Sequence, residues 1–168
     1  MIETFLGDQI LFTGTARAEI TEFERVNTKE NREKISKTLD SLGLENVELK
    51  ENEKGLTISI ENIQFLPDSS ELVPAEKEKL ARIAEILKGF ENDLLVTGHC
   101  ANRGTLRNQQ RISEQRAASV AEYLSTLKVR EPKCIFMQGK GASEPVASNS
   151  TEAGRAKNRR VEITIMDE

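Results

Sequence analysis

Arg116 lies four residues from both Ile112 and Val120, so a guanidinium stands in or at the edge of an apolar helical stripe. A charge withdrawn from water at such a place requires an anion or several acceptors, because an unpaired buried charge costs several kcal/mol. Two readings follow. The side chain snorkels to water or pairs with an internal carboxylate, or it grips a ligand carboxylate through paired N–H donors. Upstream, Gly98-His99-Cys100-Ala101-Asn102-Arg103-Gly104 joins an apolar strand to a helix, a frequent position for ligand groups. Its backbone amides are candidates to cradle an anion, but it is not a P-loop, since no Lys-Ser/Thr follows the second glycine. His99 is the only histidine. A triad needs a nucleophile and an orienting acid around it, and the sequence singles out neither, so a structural role is expected. Gly154-Arg155-Ala156-Lys157-Asn158-Arg159-Arg160-Val161 is a basic cluster entering a strand. Alternation sends Arg159 and Arg160 to opposite faces, where they either reach an anion or form a solvated strand entry that discourages edge pairing.

The elements that must position these groups are legible from periodicity. Residues 10–22 alternate, with Ile10, Phe12, Ala16, Ala18 and Ile20 on one face, which reads as a half-buried strand. Asn27 or Thr28 offers an N-cap, Ile35, Leu39 and Leu42 follow at helical spacing, and Gly43 supplies the stop. Val47 and Leu49, the turn Asn52-Glu53-Lys54-Gly55, then Leu56, Ile58 and Ile60 describe a hairpin whose second strand is expected to reach Phe65. Pro74 suits a first helical turn, and Leu80, Ile83, Ala84 and Leu87 form the stripe behind it. Leu94 to Thr97 is a strand. A long helix from about Leu106 to Leu127 carries Ile112, Arg116, Val120, Tyr123 and Leu127 on one line, Cys134 to Gln138 is the next strand, 139–154 a loop, and Val161 to Ile165 the last strand. Strands separated by helices imply parallel crossovers, while the final strand, arriving by a loop, inserts antiparallel. The expected fold is α+β, a mixed sheet with helices on one face in the order β-α-β-α-β-β. An additional strand-helix unit over 1–46 precedes the main domain at 47–168. Cys100 and Cys134 fall at opposite ends of neighbouring parallel strands, on the order of 20 Å apart by the rise per residue, so both are expected as free thiols.

Composition narrows the chemistry further. The chain has 168 residues with 24 Lys+Arg and 28 Asp+Glu, net −4, a length that suits one domain with an appendage. Residues 1–97 carry 12 basic against 20 acidic side chains and residues 98–168 carry 12 against 8, so an acidic front precedes a basic back. Solvated helix faces explain the split, as does a small anionic partner for the back half. Nucleic acid is not expected, because the basic part offers only Tyr123 and Phe136 as aromatics and no dense Lys/Arg block. One His and two Cys leave no zinc site without several carboxylates, and no metal or cofactor is expected. No apolar run approaches membrane-spanning length, and Met1-Ile2-Glu3-Thr4 opens no secretory signal.

Taken together, Phe65 with Asp68-Ser69-Ser70-Glu71-Leu72, Gly98-His99 with Asn102-Arg103-Gly104, Ile112-Ser113 with Arg116-Ala117 and Val120, and Asn149-x-Thr151-x-x-Gly154-Arg155-x-x-Asn158-Arg159-Arg160-Val161 resemble the OmpA C-terminal domain family, which includes Pal-type lipoproteins and the MotB stator domain. The match covers about Val47 to Met166. The resemblance implies a periplasmic, non-enzymatic domain, associated with the outer membrane through a segment outside this chain. Its partner would be the peptide stem of peptidoglycan, typically its diaminopimelate, or an envelope protein. It also implies a ligand set of Arg116, Cys100, Ala101, Asn102, Gln109, Phe65 and Arg159. In the family the cation that holds the ligand is the Arg of L-S-x-x-R-A, here Arg116, and the anion is the Asp of G-H-T-D, here Ala101. Gly98-His99-Cys100-Ala101 lacks that carboxylate, and Gln109 stands where the family has Asn. Two expectations follow: a wall-binding module with a weakened ammonium contact, or a scaffold that has lost wall binding and serves as a structural or protein-interaction domain.

Overall fold

Helix α1 (Lys29–Leu42) begins where Thr28, in an extended conformation, accepts the Asn31 N–H on its hydroxyl, and it stops at Gly43 in the left-handed conformation. A computed structural model describes residues 25–66 and 69–167. The strand read over 10–22 lies outside the described residues. Strand β1 (Val47–Asn52) and strand β2 (Gly55–Glu61) form the expected antiparallel hairpin. Helix α2 (Pro74–Leu87) carries its proline at the first turn. Strand β3 (Leu94–Gly98), helix α3 (Leu106–Thr126), strand β4 (Ile135–Gly139), helix α4 (Glu152–Asn158) and strand β5 (Arg160–Met166) complete the chain.

The sheet order is β1-β2-β5-β3-β4. β5 pairs antiparallel with β2 from Gly55↔Met166 to Glu61↔Arg160 and with β3 from Leu94↔Ile165 to Gly98↔Val161, while β3 and β4 are parallel. One face of the sheet presents Leu56, Ile58, Ile60, Leu94, Val96, Val161, Ile163 and Ile165, all fully buried. Ile35 and Leu39 of α1, the Leu80, Ile83, Ala84 and Leu87 stripe of α2, and Ala117, Val120 and Leu124 of α3 join them in one core cluster. Val26 belongs to the same cluster, and its N–H and that of Asn27 are held by the Asp167 carboxylate at 2.7 and 2.8 Å. The α1 segment therefore shares its core with the residues after 47. The parallel register also separates the cysteines. Cys134 precedes β4 where Leu94 opens β3, Cys100 follows Gly98 at the far end, and both are free.

Four local expectations are corrected. β2 ends at Glu61, because Asn62 turns the chain at φ 51° and Phe65 pairs in an isolated bridge with Leu72. The buried line of α3 runs through Gln109, Ser113, Ala117, Val120, Ala121 and Leu124, leaving Ile112 half-buried. The cause is close approach to the sheet. A Cβ on Gly98 would stand 1.9 Å from the Ser113 carbonyl oxygen, and one on Gly139 would stand 2.5 Å from the Ser113 hydroxyl. Only small residues at 113 and 117 fit beneath the helix, so it rotates away from Ile112. Cys134 closes a 3-10 turn (Pro132–Cys134) ahead of β4. The stretch read as a loop to Gly154 contains the start of α4, where Thr151 accepts the Gly154 N–H as N-cap.

Gly98→Ala is expected to lower the unfolding free energy by about 3 kcal/mol or more, since a methyl cannot be accommodated against backbone. Gly43→Ala, with open space around it but a left-handed backbone, is expected to cost about 1 kcal/mol. Urea unfolding of the two variants measures the contrast.

Candidate functional site

The end of β3, the start of α3 and the entry to β5 converge on Arg116. The chain leaves the sheet at His99, whose N–H donates to Arg160 O at 2.9 Å, and Cys100 N–H then donates to Gly141 O at 3.0 Å. Asn102 N–H is taken by Asn149 Oδ1 at 3.2 Å, and Arg103 N–H by Ala101 O at 2.8 Å. Those four amides are committed to protein oxygens, so the loop does not hold them out as the anion cradle its sequence suggested. Thr105 caps α3 by accepting the Asn108 N–H at 3.1 Å.

Arg116 keeps the features of a candidate anion receptor. Its Nη1 donates to His99 O at 3.3 Å, its guanidinium carbon lies 5.6 Å from the Phe65 ring centroid, and it forms no ion pair among the described residues. Burial lowers its proton affinity, the neighbouring Cys100 opposes that, and the positive charge of Arg159 adds to it. A desolvated cation over an aromatic face, with donors to spare, is suited to a bidentate carboxylate. Arg159 itself is engaged by Glu152 at 2.6 Å, with Arg155 on the other oxygen at 3.1 Å.

The remaining residues expected at the site divide. Cys100 and Ala101 are buried. The Cys100 Sγ donates to Gln109 O at 3.4 Å, and burial pushes its thiol up against the opposing pull of Arg116. Asn102 and Gln109 brace the loop from within. The buried Gln109 amide donates to Asn102 Oδ1 at 3.0 Å and to Gly104 O at 3.1 Å, so its side chain is held by partners seven and five residues away.

Comparison with protein-family profiles matches residues 64–159 to the OmpA family. The chain belongs to the OmpA family. Among curated relatives, the outer membrane protein A of Bordetella avium is 38% identical over 100 residues, 59% of this chain and 51% of the relative. The peptidoglycan-binding protein ArfA of Mycobacterium tuberculosis is 40% identical over 104 residues, 61% of this chain and 32% of the relative. The chain thus spans about half or less of these relatives' length. Among solved structures, the cell wall anchor of the T6SS from Pseudomonas aeruginosa superposes with a TM-score of 0.66 at 32% identity, covering 79% of this chain and 96% of that one.

The OmpA-family domain also contains a polar cluster that sequence reasoning missed. On the sheet face opposite the helices, His99 Nε2 meets Glu162 Oε1 at 2.6 Å, with Arg160 at 3.6 Å from the same oxygen and donating to Glu144 O at 2.9 Å. His99 is fully buried, and its Nδ1 has no hydrogen-bond partner among the described residues, so the pair does not extend into a relay. The signal was the alternation of β5, which places Glu162 on the same face as Arg160 and opposite Thr97, two residues before the only histidine. Burial by itself would raise the Glu162 carboxyl, but the His99 hydrogen bond and the Arg160 charge together hold it below its ordinary value.

A carboxyl depressed in the folded state stabilises the fold above its unfolded pKa, and that contribution is lost as pH falls through the folded value. The stability difference between the native chain and Glu162→Gln is therefore expected to be largest near neutral pH and to shrink below the ordinary carboxylate range, as followed by urea unfolding at a series of pH values.

Proposed function

We propose that this OmpA-family domain associates non-covalently with the peptide stem of peptidoglycan in the periplasm, and that it grips the stem less tightly than a site carrying an acid at position 101. The observation that carries the proposal is Arg116, half-buried over Phe65 with a single hydrogen bond, to His99 O, among the described residues. Its remaining donors suit a ligand carboxylate. The relationship to a protein named for peptidoglycan binding and the likeness to a cell wall anchor support the same reading. Ala101 and Cys100 give a ligand ammonium no charge-assisted acceptor. One such hydrogen bond is worth roughly 1.5–3 kcal/mol, or about 10- to 150-fold in affinity.

The same buried Ala101 favours a second reading, in which the scaffold has given up the wall and presents a structural or protein-interaction surface. Co-sedimentation of the purified chain with isolated sacculi separates the two. Wall binding predicts measurable pelleting of the native chain, a loss of about tenfold or more for Arg116→Ala, and a gain for Cys100→Thr with Ala101→Asp. If the native chain stays in the supernatant while the double variant pellets, the second reading replaces the first.

A further inference from the structure

An apolar groove of about 330 Å³ runs between α1 and α2, with Ile35 and Leu42 of α1 on one side and Ile86 of α2 and Phe90 just beyond it on the other. The sheet core does not use these side chains up. Ile83, Ala84 and Leu87 turn the buried face of α2 to the core, while Leu42, Ile86 and Phe90 stay half-buried. One wall of the groove, α1, also precedes the residues matched to the OmpA family.

The chain enters α1 beside the Phe90 end of that groove. The Asp167 carboxylate holds the Val26 and Asn27 N–H groups at 2.7 and 2.8 Å, and Asn92, two residues past Phe90, donates its side-chain amide to Met166 O at 2.8 Å. Adjacent residues at the end of β5 thus tie down both the entry to α1 and the exit from α2. Reach from there is ample. Residues 10–22, when extended, cover about 40 Å at the rise of a strand, against about 10 Å of helix from Ile35 to Leu42.

The chemistry matches as well. Alternation gathers Ile10, Phe12, Ala16, Ala18 and Ile20 on one side of that segment, and a strand with one apolar side needs an apolar surface to cover it. The main-chain groups of an extended segment point sideways from its side chains, so in a groove with half-buried walls they keep their water while the apolar side is covered. Glu19, Glu22 and Glu24 end the segment, and the groove carries Lys34 and Arg82 against the single acid Glu85. A short tether also holds the segment at an effective concentration in the millimolar range, which a second copy or a free partner would have to match. We infer that residues 10–22 dock their apolar side into the groove between α1 and α2, so that the front of this chain covers a surface otherwise open to another protein. This does not depend on the wall-binding reading.

The test uses the full chain and follows the methyl NMR signals of Ile35, Leu42 and Ile86. Phe12→Asp is expected to move them, and Thr15→Asp, on the other side of the segment, to leave them in place. In urea unfolding, Phe12→Ala is expected to lower the folded-to-unfolded ratio about fivefold in the native chain and about twofold in an Ile86→Ala background, the scale of coupling between residues in contact. The cycle subtracts whatever Ile86→Ala costs by itself. Unmoved groove methyls in Phe12→Asp, equal movement in Thr15→Asp, or the same loss in both backgrounds overturns the inference. So does a response of these methyls to dilution of the native chain, which assigns the groove to a second copy and needs no variant to fold.

Discussion

The last strand holds this molecule together. β5 lies between β2 and β3 and runs antiparallel to both, so the hairpin laid down first and the parallel pair laid down later touch through the final residues of the chain. Val161, Ile163 and Ile165 fill the middle of the core with no exposed surface. The far end of the sheet depends on the same strand, because Met166 N–H bonds Asp93 O and Asp167 N–H bonds Lys54 O. The Asp167 carboxylate also fixes the approach to α1. A strand that arrives last yet occupies the centre makes the fold a set of long-range contacts, and local pairing alone cannot complete it.

The site hangs from the beginning of that strand. Arg160 O receives the His99 N–H, which turns the His99 carbonyl toward α3, where it accepts from Arg116. The residue before, Arg159, ends α4 and adds its charge on the helix side, while Arg160 points to the other face and pairs with Glu162. One peptide segment thus serves two electrostatic tasks on two faces of the sheet. In the buried His99–Glu162–Arg160 group the Glu162 carboxylate is the shared partner, while His99 Nδ1 and Arg160 Nε and Nη1 have none among the described residues, so removing Glu162 would leave the buried Arg160 guanidinium without its ion pair. Arg116 is left with donors unspent, which suits a ligand. Gly98 and Gly139 make the arrangement possible, since their missing side chains let α3 settle onto the β3–β4 pair and bring Arg116 within reach of the loop.

Much of this was legible beforehand. The hairpin with its Gly55 turn, the stripe of α2, an N-cap for α1 at Asn27 or Thr28 and its Gly43 stop, and the antiparallel entry of the final strand all follow from local spacing, where side-chain pattern and backbone preference agree. The importance of Arg116 was legible too, as a charge out of place on an apolar line, although the line itself was drawn one residue off. Ile112 looked like the better core residue, but two glycines on other strands left room only for Ser113 and Ala117, and no pattern within the helix records that. The end of β2 at Asn62 and the short α4 escaped for a similar reason. Both are stabilised by each other, through Asn62 N–H to Ala156 O and Ile63 N–H to Arg159 O, across nearly a hundred residues.

By itself, then, the sequence determined the fold class, the order of the elements other than α4, the family resemblance and the absence of an acid at Ala101, because each is written in residue type and local period. Tertiary structure alone decided how the loop spends its hydrogen bonds. The amides of His99, Cys100, Asn102 and Arg103 are taken by Arg160, Gly141, Asn149 and Ala101, and Glu152 is taken by two arginines. A hydrogen-bond donor or a carboxylate is available to a ligand only if no protein atom reaches it first. Three of those amide acceptors lie dozens of residues away in the chain, so which groups remain free at Arg116 is settled by the folded arrangement and not by the motif.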